Sequence, residues 1–74
     1  MDDLRELVEE ALFEARPYVE YYDRLREEIM PLLKAVSDVE ELRLRIEEIG
    51  RGAGEPFRTD IRIFLQKLDS LAGT

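Results

Sequence analysis

Ten side chains, Leu4, Val8, Ala11, Ala15, Tyr18, Tyr22, Leu25, Ile29, Leu32 and Val36, recur in steps that alternate between four residues and three without a break. A strand returns to one face every second residue, whereas these steps return to one face of an α-helix, so this half of the chain encodes a buried helical seam. The seam fixes an architecture; no cluster of residues beside it spells out a chemistry.

Helix boundaries follow from the punctuation around the seam. Residues 2–16 read as a first helix, with acids in the opening turn where the helix dipole favours them. Pro17 disfavours the helical conformation at Arg16 and suits the start of a second helix over 17–36, kinked near Ile29 or Met30 because Pro31 removes a backbone hydrogen bond. Ser37 and Glu40 have the spacing of a capping box, which starts a third helix over 38–49. Gly50 suits the left-handed position after a helix, followed by a flexible linker over 50–55. Pro56 then opens a fourth helix over 56–72, carrying Phe57, Ile61, Phe64, Leu65, Leu68 and Leu71 at helical spacing. The expectation is a single all-α domain over 1–74, a small bundle of three to four helices with a long proline-kinked second helix.

At 74 residues such a domain buries only about 60–65% of the surface of its unfolded chain, and domains of this size often add disulfides, a metal or a second subunit. The chain has no Cys and no His, so a homo-oligomer is the expected supplement. The same absence excludes zinc sites, thiol nucleophiles and a histidine general base. Catalysis would rest on carboxylates, and no Asp or Glu occupies an expected seam position where burial would tune it. Glu6 and Glu9 with Glu20 and Asp23 have only superficially the order of a paired-carboxylate metal site, because Glu6 and Glu9 point away from the seam. The reading is therefore of no enzyme, no cofactor and no metal.

The charge is unevenly distributed. Residues 1–42 carry 13 acids and 5 bases while residues 43–74 carry 5 acids and 6 bases, so the net −7 resides in the first half. An acidic surface repels phosphates and anionic lipid, which argues against direct nucleic-acid or membrane binding and for a protein partner. With an acidic start where a secretory signal would be basic, and no long apolar run, the expectation is a cytoplasmic chain without a transmembrane segment.

Three large apolar residues lie off their own seams: Phe13 at about 170 degrees, Leu44 at about 180 degrees and Ile63 at about 130 degrees from the centre of the apolar stripe. Tyr18 and Tyr22 fit the seam, and Tyr21 lies on its flank. Phe13, Tyr21, Leu44 and Ile63 are thus the expected partner contacts of a non-enzymatic protein-interaction module, an adaptor, assembly factor or regulatory subunit. The alternative is a small acidic inhibitor of a nucleic-acid-binding protein or toxin, a nucleic-acid mimic of the phage anti-defence or antitoxin kind, acting through Asp2, Asp3, Glu6, Glu9, Glu10 and Glu14.

Overall fold

The structure is a computed structural model, and it describes residues 3–73. Every regular element among them is helical: α1 (Asp3–Ala15), a 3-10 turn (Arg16–Tyr18), α2 (Tyr22–Ile29), a second 3-10 turn (Met30–Lys34), α3 (Val39–Gly52) and α4 (Phe57–Leu71). Asp2, assigned above to the acidic face, lies outside the described residues.

α4 is the central element. It packs against α1 and α3 and meets the short α2 as well. Phe57, Ile61, Phe64 and Leu68 of α4 join Val8, Ala11 and Leu12 of α1, Leu25 and Ile29 of α2, and Leu42 and Ile46 of α3 in one core. The 4-3 ladder therefore delivers its expected seam where the backbone is α-helical: Val8, Ala11, Ala15, Leu25 and Ile29 are all buried.

Between α1 and α2 the ladder is interrupted, which corrects the expectation of one helix over 17–36. Pro17 leads only a single 3-10 turn, and Val19 is extended (φ −106°, ψ 154°). Tyr18 is thereby thrown off the seam and stands 63% exposed. α2 begins only at Tyr22 and supplies no side-chain cap of its own. The cap comes from α4 instead. Asp60 accepts the Tyr21 N–H at 2.8 Å and shares the Glu20 N–H between its two oxygens at 3.1 and 3.2 Å. At the other end α2 passes directly into the 3-10 turn that contains Pro31, so the proline tightens the helix there rather than parting it.

The third helix is capped one residue later than expected. Asp38, not Ser37, is the N-cap and accepts the Glu41 N–H at 2.8 Å, while Glu41 reaches back to the Ser37 N–H at 3.0 Å. α3 also runs past Gly50 to Gly52, shortening the linker to residues 53–56. Gly50 is buried and helical; a Cβ there would come within 3.3 Å of Ile61 Cγ2. Its missing side chain allows α3 to approach α4 closely, and a left-handed backbone occurs among the described glycines only at Gly73. α4 begins at Phe57, one residue after the cis-linked Pro56. Glu55 caps it by accepting both the Thr59 N–H (3.1 Å) and the Thr59 hydroxyl (2.7 Å).

Candidate interaction surface

The end of α1 presents the most exposed aromatic residue of the described chain. Position 13 falls on the outer side of α1 because Val8, Ala11, Leu12 and Ala15 occupy the inner side, leaving Phe13 73% exposed. The 3-10 turn that follows Ala15 sets Pro17 and Tyr18 around the same groove as Phe13. With Glu14, Arg16 and Lys67 these residues line an open groove of about 620 Å³. Lys67 Nζ sits 4.9 Å from the centre of the Tyr18 ring, which holds that ring against α4 without covering it. An apolar rim with a cation at one end is the result.

Tyr21, 50% exposed, lines a separate small depression that shares Arg16 with this groove. Leu44, 62% exposed, stands on α3 and lines neither. Ile63, on α4, is half-buried rather than exposed. Of the four expected contacts, Phe13 alone lines the groove at the end of α1. Phe13 is instead joined by Tyr18, which the periodicity had assigned to the core; the proline after Arg16 was the available sign that position 18 would leave the α-helical register.

A second open groove, about 520 Å³, runs between α3 and α4. Its floor is Gly50, Ile61 and Leu65, and three exposed arginines, Arg51, Arg58 and Arg62, surround it with Glu47. Arg58 is held in place by donating from Nε to the Ala53 carbonyl at 3.2 Å, and Glu47 is drawn to Arg43 at 3.5 Å. The Thr59 hydroxyl bond, together with the Thr59 N–H and the neighbouring Arg58 and Arg62 charges, lowers the Glu55 carboxyl pKa from its ordinary 4.5 against a smaller opposing effect of burial.

On the acidic face, Asp3, Glu6, Glu10 and Glu14 are exposed along α1. Glu9 departs from them: it is half-buried and engaged by Arg5 at 3.2 Å and Arg26 at 3.8 Å, tying α1 to α2. Among the described residues no three acidic side chains converge as a metal site would require. The buried carboxylate that sequence reasoning missed is Asp60, only 2% exposed. Its spacing from Phe57, Ile61 and Phe64 puts it on the α4 seam, and both its oxygens are committed to the α2 cap.

A protein-family model described as the MJ1579 family matches residues 1–72, nearly the whole chain. The chain belongs to the MJ1579 family. No curated protein and no solved structure matches it. For this family member, no helix among the described residues is long and apolar enough to cross a membrane.

Proposed function

We propose that this MJ1579-family chain is a non-enzymatic protein-interaction module, an adaptor, assembly factor or regulatory subunit, that binds a protein partner through the face formed by Phe13, Pro17 and Tyr18. The observation that carries the reading is the pairing of two large aromatics, 73% and 63% exposed, across one open groove. Single exposed apolar residues are ordinary on small domains, but adjacent aromatics with a fixed backbone between them are the usual anchors of protein interfaces. Covering each ring contributes roughly 1.5–3 kcal/mol, enough for a stable contact once several neighbours are included.

The test is affinity capture from extract of the source cells, with a differently tagged second copy of the chain included as a candidate partner. Wild type is compared with Phe13→Ser/Tyr18→Ser at about 0.1 M and about 0.5 M salt, concentrations that separate screened charge contacts from apolar ones. Retention of a partner by wild type at both salts, lost in the double variant, supports the reading. Equal retention by both proteins refutes it, and retention that collapses with salt alone points to the acidic face instead.

A further inference from the structure

The two surfaces described above are complementary to each other. The outer ridge of α1 carries Glu6, Glu10 and Phe13 at helical spacing, two carboxylates followed by an exposed ring. The α3–α4 groove has an apolar floor of Ile61 and Leu65 with exposed arginines around it. Leu44, 62% exposed, stands beyond the rim on the outer side of α3, three residues before Glu47 and seven before Arg51. Three guanidinium groups gathered on a chain of net charge −7 are a local inversion of sign, and the chain itself supplies the matching carboxylates.

The ridge of one molecule cannot enter its own groove, because α4 lies between them. Lys67, against the Tyr18 ring beyond α1, and Leu65, in the α3–α4 groove, project about 160 degrees apart around the α4 axis. In a symmetric dimer the α1 of each copy would meet the groove of the other, so the contact is made twice, as closed symmetry requires.

We propose that the α3–α4 groove, edged by Arg51, Arg58 and Arg62, seats the Glu6–Glu10–Phe13 ridge of a second copy of this chain, twice in a symmetric dimer. This rests on reading Phe13 as a partner-binding residue, and it names the partner. Carboxylates meet guanidinium groups at the rim, where they set orientation and register, while Phe13 covers the apolar floor at Ile61 and Leu65.

The experiment is charge exchange read by sedimentation equilibrium from about 10 μM to about 1 mM, the range that resolves modest dimer affinities. One variant reverses the ridge, Glu6→Arg/Glu10→Arg; the other reverses the groove, Arg51→Glu/Arg62→Glu. All four side chains are exposed, and circular dichroism verifies that both variants fold. Wild type is expected to dimerise, and each variant alone to dimerise at least about tenfold more weakly because like charges then face each other. Mixed in equal amounts, they are expected to form a heterodimer with affinity near that of wild type, since both of its contacts pair opposite charges. A wild type that stays monomeric throughout, or a mixture that associates no better than its components, overturns the proposal. Failure of the mixture alongside Phe13-dependent capture of another protein leaves the interaction-module reading standing without this groove. A restored heterodimer that Phe13→Ser does not weaken upholds the groove and removes Phe13 from it.

Discussion

Replacing Asp60 with alanine should loosen α2 from the rest of the molecule, and the size of the effect can be worked from the cap. α2 has eight residues and no side-chain cap of its own, and the N–H groups of Glu20 and Tyr21 that lead into it are held by a carboxylate 40 and 39 residues away in sequence. A hydrogen bond to a charged acceptor contributes about 1.5–3 kcal/mol, and an N–H left without a partner away from water costs about 1–3 kcal/mol. Glu20 and Tyr21 are themselves exposed, so water partly replaces the lost oxygens. The expected net loss is about 2–4 kcal/mol for Asp60→Ala. Asp60→Asn should lose less, because its amide oxygen still accepts one N–H. A domain of this length has a total stability of about 4–11 kcal/mol, so either loss is a large fraction of the whole. Urea unfolding followed by circular dichroism measures the difference, and amide exchange should accelerate most at Glu20 and Tyr21. An Asp60→Ala protein within about 0.5 kcal/mol of wild type, the ordinary scatter of surface substitutions, would refute the capping account.

Other consequences can be checked alongside. Gly50→Leu should cost about 1–3 kcal/mol by forcing α3 away from Ile61, whereas Gly52→Ala, with open space around its Cβ, should be neutral or stabilising by up to about 1 kcal/mol in chemical denaturation. Leu12→Ala in the centre of the core should cost about 2–5 kcal/mol, while Leu44→Glu, at an exposed position, should leave stability within about 0.5 kcal/mol. The Glu55 carboxyl should titrate by NMR below its ordinary 4.5, and Thr59→Val, which deletes the hydroxyl donor, should raise the midpoint; an unchanged midpoint contradicts the assignment. The sign for stability follows from that lowering: the Glu55 contribution is fully present above its unfolded value and is lost as pH falls through the depressed folded value.

The helical class and most of the core were legible because spacing alone determines which residues share a helix face. Val8, Ala11, Leu25 and Ile29 needed nothing beyond a ruler of threes and fours. Tyr18 was misplaced because periodicity presumes a continuous helix, and a 3-10 turn with an extended Val19 resets the register. Gly50 was misread because a glycine near a helix end suits both a left-handed cap and a close helix crossing, and only the position of Ile61 decides between them. Asp60 went unnoticed because a carboxylate on a seam is ordinarily a sign of exposure. The counter-signal was present on another element: the stretch Val19, Glu20, Tyr21 offers α2 no Ser, Thr, Asp or Asn as a cap, which leaves the donors there to water or to a distant acceptor. The candidate surface was half-legible for a related reason. Sequence identifies which residues leave the core, as for Phe13 and Leu44, but only the packing of α1, α3 and α4 determines which of them become neighbours.

The central claim, that the face around Phe13 is covered by another protein when the chain is at work, is tested most directly by photocrosslinking in the source cells. A photoreactive amino acid is placed at Phe13 and, in a separate protein, at Lys34, which is exposed on the second 3-10 turn. A discrete adduct, either with a second copy or with one defined protein, is expected from position 13 and not from position 34. The absence of an adduct at position 13, or the same diffuse labelling from both positions, would contradict the claim.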